Sequence, residues 1–327
     1  MGNIDVEGKQ YLSNPVIFAD AFNYLLYGGE QVICPDELQE LDTTELTVPY
    51  GNSARVPVQK YRDLLKLWNA MMDDKAIYVI LGAELQDKVH YGMPVKDGLY
   101  DMLGYSKQIA EIKRSYKNEI QKEKDVETGE ITVEKGVLKI RFTSEEFLSG
   151  LRKGDKLIPI ITAVIYLGDQ PWDGPMSLYE MLDIPDESLK KYIPNYWINL
   201  ISPADMEEEE FKTFHSELGY ALRLIKHQSE DANKIISQEE YCRVGQDTAC
   251  FLNAAMNLKL EFEEKTGGVN MCLAFDRAYK EKEVTGAIGV YREYGESDEF
   301  IIDRIMKRFN VSREYVLALL TPQANAK

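Results

Sequence analysis

The sequence predicts an α/β fold followed by a helical C-terminal region, on three observations. Two apolar β-branched segments, residues 76–81 and 157–167, have the character of strands that are buried on both faces. An amphipathic helical pattern over residues 93–116 separates them, which gives the strand, helix, strand order of an α/β core. From about Asp205 the apolar spacing is helical throughout.

The first element is a helix between Asn14-Pro15 and Gly28-Gly29. Asparagine is a good N-cap, proline is favoured in the first helical turn, and glycine is favoured just past a helix end. This spacing predicts a helix of about thirteen residues. Asp20 on this helix points either to solvent or into a site, and we expect solvent.

The next part of the chain is harder to assign. Residues 30–56 mix proline, glycine and asparagine with short β-prone pieces, which predicts a short strand and irregular connections. Residues 60–68 have a leucine spacing that suits a helix, whereas a hairpin strand leading into Ala76 is what a site at Asp63 would need. The propensities leave both options open.

Two further elements are predicted between the apolar strands. Residues 126–131 have the composition of a turn in an exposed hairpin or a flexible insertion. Thr143 and Glu146 have the spacing of a capping box, which predicts a short helix that ends near Gly150 or Gly154.

The helical periodicity of the C-terminal region divides the chain into two predicted domains, residues 1–200 and residues 201–327. Residues 211–225 and 241–258 each carry apolar side chains at helical intervals. Their apolar faces are candidates for self-association, so a homo-oligomer is one expected state.

The last predicted helices form a pair. Residues 300–309 are followed by Ser312 as the N-cap of a helix over residues 313–320. The pair has helix-turn-helix lengths, although we expect a packing hairpin.

Composition excludes several classes of protein. The chain has 327 residues, of which 44% are hydrophobic, so it is long enough to bury a sizeable core. It contains no 18-residue apolar run and no signal-peptide pattern, so we expect no membrane partner and a cytoplasmic location. Its four cysteines form no CxxC pair, which argues against a zinc ribbon, and we expect buried thiols.

The charge balance bears on nucleic acid as a partner. A net charge of −17 makes long-range attraction to DNA weak or repulsive. The charge is unevenly placed, however, because Lys107 to Lys124 is rich in lysine and arginine, whereas residues 205–210 read DMEEEE. A local basic strip beside a site is therefore compatible with the composition.

Polar side chains follow the first apolar strand. Glu84, Gln86 and Lys88 share one face if that strand continues far enough, because side chains alternate with a period of two. The stretch from Asp63 to Gln86 thus contains two carboxylates, Asp63 and Glu84, with a predicted pairing of two strands between them. Metal-dependent hydrolysis of nucleic acid needs such a set.

Four segments, in this order, carry a family resemblance: YRDLLKL around Asp63, ELQ from Glu84, HYGMPVKDGLYDMLGYSKQI from His90, and YLGDQPWDGPMSLYEML from Tyr166. They resemble the recombination-promoting nucleases, also described as PD-(D/E)XK family transposases, over residues 15–182. The resemblance implies a restriction-endonuclease-like core in which helices flank a mixed central sheet. It also implies a DNA endonuclease that depends on Mg²⁺ or Mn²⁺ and promotes recombination or transposition.

The resemblance assigns roles to four residues. Asp63 and Glu84 are expected to hold the metal ion. Gln86 stands where the wider superfamily has lysine, and a glutamine orients a water but brings no charge. Lys88 on the same face is our own candidate for the missing cation, the alternative being a solvated strand end. All four are predicted catalytic residues.

The family's helix is matched by Tyr100, Asp101, Tyr105 and Gln108. Gln108 is expected to touch the site or the DNA backbone. Arg62 departs from the superfamily pattern, in which proline commonly precedes the first acid.

Two other functions remain open. A catalytically weak or inactive relative would act by binding DNA or a protein partner, which the missing lysine and the acidic surface favour. The other alternative is a protein that mainly oligomerises through its helical region. Metal binding at Asp63 and Glu84 would distinguish the nuclease hypothesis from both alternatives.

Overall fold

A computed structural model of the chain describes residues 3–47, 58–61, 63–72, 75–128, 143–228, 243–256 and 269–320. The chain divides into two compact units, Met1–Lys226 and His227–Lys327. In the described ranges, no helix combines the length and the apolar character that crossing a bilayer requires.

The first unit is an α/β unit built on a five-stranded sheet with the order β1-β4-β5-β6-β7. Strands β1, β4 and β5 pair antiparallel, whereas β5, β6 and β7 pair parallel, so the sheet is mixed as expected. A separate antiparallel pair is formed by β2 and β3. The strands are β1 (Leu38–Glu40), β2 (Thr44–Thr47), β3 (Val58–Tyr61), β4 (Leu64–Met72), β5 (Lys75–Gln86), β6 (Ile160–Tyr166) and β7 (Asn199–Ile201).

Five α-helices belong to the described part of this unit. They are α1 (Asn3–Ser13), α2 (Pro15–Tyr27), α3 (Met93–Thr128), α4 (Ser144–Ser149) and α5 (Glu217–Lys226). The crossover between the parallel strands β5 and β6 contains α3 and α4, as parallel pairing requires.

Residues 79–85 of β5 are buried on both faces, as the apolar run predicts, whereas Tyr78 is exposed. On one face, Leu81 and its alternate neighbours pack against Phe18 and Phe22 of α2. On the other face, Ile80 packs in a cluster that includes Tyr105 of α3. Helices therefore flank the sheet on both sides, and the strand that carries Glu84 lies at its centre.

The helix α2 begins and ends where the sequence predicts. The Asn14 side chain accepts a hydrogen bond of 3.0 Å from the N–H of Val16, and Pro15 is the first helical residue. Gly28 ends the helix in the left-handed conformation with φ 61°.

The prediction that Asp20 points to solvent is wrong. This residue is 2% exposed, and its carboxylate accepts hydrogen bonds from the backbone N–H groups of His215 and Ser216 and from the Ser216 hydroxyl. Those groups stand directly before α5, where a helix start leaves N–H groups without a partner in the helix. The buried acid therefore binds the start of α5 to α2.

The bond between Asp20 and residues 215–216 also bears on the division of the chain. We expected a boundary after residue 200, whereas residues 201–226 belong to the first unit. Strand β7 and helix α5 both lie close to or beyond the expected boundary, and α5 packs on α2. The second unit accordingly begins at His227.

The structure tests three other expectations from the sequence. Residues 64–72 form strand β4, which resolves the ambiguity of this segment in favour of the hairpin. Helix α3 continues to Thr128, so residues 126–128 are helical, and the rest of the predicted turn lies outside the described residues. The capping box of Thr143 and Glu146 is present, and α4 ends at Gly150 with φ 72°.

The second unit consists mainly of helices, together with the antiparallel pair of β8 (Arg243–Val244) and β9 (Val269–Asn270). Its described helices are α6 (Gln246–Met256), α7 (Met271–Glu293), α8 (Asp298–Phe309) and α9 (Arg313–Leu320). The prediction of an all-helical region therefore misses one short β pair. The expectation of buried cysteines is wrong for Cys34 of the first unit, which is exposed.

Candidate active site

Strand pairing brings Asp63 next to Glu84. Asp63 stands directly before β4, and Leu64, the first residue of β4, pairs with Ala83 of β5. One step further along the same antiparallel register lies Glu84. The Asp63 carboxylate also accepts a hydrogen bond of 2.8 Å from the backbone N–H of Leu85. The two residues therefore lie opposite each other in the register at one end of the β4–β5 pair, while their carboxylates pair with lysines of different helices.

Glu84 is 1% exposed, because β4 and β6 cover it on either side and α3 covers its face of the sheet. One of its carboxylate oxygens lies 2.9 Å from the ammonium nitrogen of Lys96 in the first turn of α3. A buried carboxylate is costly unless a cation or hydrogen-bond donors face it. Lys96 supplies that charge, and it also lies 5.8 Å from the centre of the Tyr100 ring.

Asp63 also forms an ion pair with a lysine. The ammonium nitrogen of Lys9 on α1 lies 2.8 Å from the Asp63 oxygen that does not bind Leu85. Both side chains are partly exposed, at 31% for Lys9 and 19% for Asp63. The two acids therefore pair with lysines of two different helices.

Sequence reasoning missed both lysines. A signal for Lys96 does exist, because Met93, Lys96, Tyr100 and Leu103 follow helical spacing and the other three are buried. A lysine on the apolar face of a helix indicates a buried acid opposite. Lys9 has no comparable signal, since it precedes the first predicted element.

Gln86 is the last residue of β5 and pairs with Tyr166. It shares the face of Glu84, as expected from the period of two. Its side chain is half-buried, and the amide nitrogen donates a hydrogen bond of 2.7 Å to the backbone oxygen of Leu85.

Lys88 does not share that strand face, because β5 ends at Gln86. The last bond of the β5–β6 ladder runs from the N–H of Leu167 to the oxygen of Gln86 at 2.8 Å, so the pairing stops before Lys88. Lys88 is exposed in the bend that follows. This position matches the alternative of a solvated strand end.

Several aspartate side chains lie near the carboxyl ends of β5 and β6. Burial raises the pKa of Tyr166 above its ordinary value, and nearby carboxylates raise it further because the phenolate would repel them. The contributing acids are Asp169, Asp173, Asp205 and Asp87. A phosphate that approaches this edge therefore meets negative charge.

The helix α3 also holds a buried polar cluster beside the site. Asp101, 5% exposed, accepts a hydrogen bond of 2.9 Å from the hydroxyl of Thr162 and a second one from the hydroxyl of Tyr196. Burial and the bond to Asp101 raise the pKa of Tyr196 well above its ordinary value. The cluster binds α3 to β6 and to the segment that leads into β7.

The side chain of Gln108 is hydrogen-bonded to the backbone just before β6. Its amide nitrogen donates to the backbone oxygen of Ile158 at 3.0 Å, and its amide oxygen accepts from the N–H of the same residue at 2.7 Å. Tyr105 similarly accepts from the N–H of Ile160 at 3.2 Å. These bonds hold the backbone at the start of β6 and engage the amide of Gln108 there.

The donor set at Asp63 and Glu84 suits a hard cation. Mg²⁺ prefers oxygen ligands, keeps several waters and commonly binds through one or two carboxylates. In the described part of the chain, no group of three or more histidine, cysteine, aspartate or glutamate side chains is arranged to hold a metal. An ion at this position would compete with Lys9 and Lys96 for the two carboxylates.

Comparisons of the chain with protein-family models, with curated proteins and with solved structures found no match.

Proposed function

We propose that the chain is a Mg²⁺- or Mn²⁺-dependent DNA endonuclease with a PD-(D/E)XK core. The observation that carries the proposal is the adjacency of Asp63 and Glu84 at one end of the β4–β5 pair, inside a mixed sheet that helices flank. The family resemblance in the sequence points to the same two residues. A role in DNA recombination or transposition rests on that resemblance alone.

The chain's own residues take distinct roles in this proposal. Asp63 and Glu84 hold the ion, which when bound supplies a nucleophilic water and neutralises charge on the departing oxygen. Gln86, on the face of Glu84, would orient such a water after its amide leaves the Leu85 backbone oxygen. Lys96 fixes the Glu84 carboxylate and is the cation that the superfamily lysine would otherwise supply. This assignment moves the cationic role from Lys88 to Lys96.

A nicking assay on supercoiled plasmid tests the proposal. Wild-type protein should nick the plasmid with Mg²⁺ or Mn²⁺ and not with EDTA. Asp63→Asn should lose nicking, whereas Lys191→Met, which changes an exposed lysine outside the proposed site, should keep it. Equal nicking by wild type and Asp63→Asn would assign the activity to a contaminant.

A second candidate is a nuclease-fold protein that binds DNA or a protein partner without cutting. Two observations favour it: the Gln86 amide is turned onto the Leu85 backbone, and four acids surround Tyr166 beside the site. In the lysine-rich stretch of α3, Arg114 is exposed but Lys107 and Lys113 are half-buried. DNA binding without nicking in the presence of Mg²⁺ would support this candidate.

A further inference from the structure

The last three helices of the second unit share one apolar core. Helix α7 contributes two of its residues, α8 contributes three and α9 contributes two. The buried members are Val284, Ile288, Ile301, Ile302, Ile305, Val316 and Leu320. Because α8 and α9 bury only one side each, their other sides remain at the surface.

A three-residue turn joins α8 to α9. Asn310 ends α8 in the left-handed conformation, with φ 50° and ψ 55°, which asparagine tolerates better than most residues. Ser312 then accepts a hydrogen bond of 3.2 Å from the N–H of Tyr315 and so caps α9. Helix-turn-helix motifs join their two helices by a turn of this length.

The charge of this segment differs from that of the chain. Residues 304–313 contain four cationic side chains and no carboxylate, whereas the carboxylates of the same two helices, Asp298, Glu299, Asp303 and Glu314, lie outside this stretch. Arg304, Lys307 and Arg308 are exposed, and their spacing places them on one face of α8. Arg313 is exposed at the start of α9. The basic residues therefore gather where the two helices meet.

Two of the four cations form ion pairs with acids of α8. Lys307 pairs with Asp303 at 2.7 Å, and Arg313 pairs with Glu299 at 2.8 Å. All four side chains are at least 49% exposed, so these pairs are solvated and are worth little. Phosphate groups compete well for such cations, because each phosphate that is neutralised releases counterions from the DNA.

The outward side of α9 is accessible as well. Glu314, Leu317 and Ala318 are exposed, whereas Val316 between them is fully buried. Major-groove recognition requires a second helix whose inner side is held by the core and whose outer side faces solvent, and α9 meets this requirement.

We propose that α8 and α9 form a helix-turn-helix that binds duplex DNA. Arg304, Lys307 and Arg308 bind phosphates, and the exposed side of α9 faces the major groove. From the sequence we expected a helical hairpin that serves only for packing, whereas this proposal makes the same pair of helices bind DNA. This inference concerns binding alone and stands whether or not Asp63 and Glu84 support cleavage.

The test measures binding of the full-length chain to a fluorescent 25-base-pair duplex by anisotropy, in EDTA and over a range of salt concentrations. EDTA prevents metal-dependent cleavage, so a failed nuclease proposal does not affect the result. The triple variant Arg304→Ala/Lys307→Ala/Arg308→Ala should bind at least tenfold more weakly. The slope of log K against log salt should become shallower by about 2–3, because each neutralised phosphate contributes about 0.9 to it.

Two controls make the outcome decisive. Lys153→Ala/Lys191→Ala/Lys212→Ala removes three exposed cations of the first unit and should leave the affinity and the slope near wild type. Arg304→Lys/Lys307→Arg/Arg308→Lys keeps the charge and should bind nearly as wild type. An absence of duplex binding by wild type at low salt overturns the proposal. An equal loss of affinity in both alanine variants overturns it too, and so does an unchanged slope in the first.

Discussion

The ammonium nitrogen of Lys96 lies 2.9 Å from a carboxylate oxygen of Glu84, across the interface between α3 and the sheet. The glutamate side chain is 2% exposed and the lysine side chain 27% exposed. Removal of Lys96 would therefore leave the Glu84 charge in a poorly solvated position. Stability and the proposed catalysis therefore depend on the same two residues.

The first prediction separates these dependences by a double-mutant cycle. Lys96→Met should lower the free energy of unfolding by about 1.5–3 kcal/mol, since it leaves the Glu84 charge buried. The double variant Glu84→Gln/Lys96→Met should recover much of that stability. Urea unfolding followed by circular dichroism measures each value. Additive losses of stability from the two single variants would show that the pair is not coupled.

The second prediction ranks the proposed catalytic residues. Asp63→Asn and Glu84→Gln should abolish Mg²⁺-dependent nicking, because each removes a charged oxygen ligand. Gln86→Ala should lower the rate only about ten- to a thousandfold, the effect of losing one hydrogen bond in the transition state. Nicking rates are compared at equal folded fraction. A Gln86→Ala protein as inactive as Asp63→Asn would give the amide a larger role than orienting water.

The third prediction concerns Asp20. Asp20→Asn keeps the shape but removes the charge that accepts hydrogen bonds from His215 and Ser216, so unfolding should become easier by about 1–3 kcal/mol. Asp36→Asn, at an exposed position of the same unit, should change stability by less than about 0.5 kcal/mol. Thermal and chemical unfolding give both values. Equal effects would remove Asp20 from its structural role.

The fourth prediction is a pH dependence from Tyr196. Its pKa is raised in the folded state by burial and by the bond to Asp101, so the unfolded chain releases the phenol proton at lower pH than the folded chain does. Stability from this group is present below about pH 10, the unfolded pKa, and is lost as pH rises further. The stability of Tyr196→Phe should fall less steeply above that pH. Tyr192→Phe, at a residue 74% exposed, should follow wild type.

The fifth prediction concerns oligomerisation. If the second unit mediates self-association, full-length protein should exceed monomer mass in light scattering and a chain of residues 1–226 should be monomeric. A cut after residue 204 is unsuitable, because it removes the α5 start that Asp20 binds. A 1–226 chain that keeps the full-length oligomeric state would exclude the second unit from this role.

The elements with strong local signals were predictable from the sequence. Helix α2 has an N-cap, a proline and a glycine, and β5 has an uninterrupted apolar run, so each was placed correctly. The adjacency of Asp63 to Glu84 depends on the β4–β5 register, which the family resemblance indicated and the propensity of residues 60–68 did not.

The sequence did not predict the contacts between side chains that are far apart along the chain. The Lys9 partner of Asp63 and the Ser216 partner of Asp20 are set by tertiary packing, and no spacing rule connects them. The end of β5 depends on where its neighbour β6 stops, so Lys88 was expected on a strand that does not reach it.

The bond between Asp20 and Ser216 has a consequence for synthesis on the ribosome. The two residues are 196 positions apart, and at 5–20 residues per second the ribosome needs roughly 10–40 s to add that length. During this interval α2 has been made, yet the groups of His215 and Ser216 that donate hydrogen bonds to Asp20 have not been synthesised. The nascent first unit is therefore expected to stay incompletely packed, and open to chaperones, until α5 has emerged.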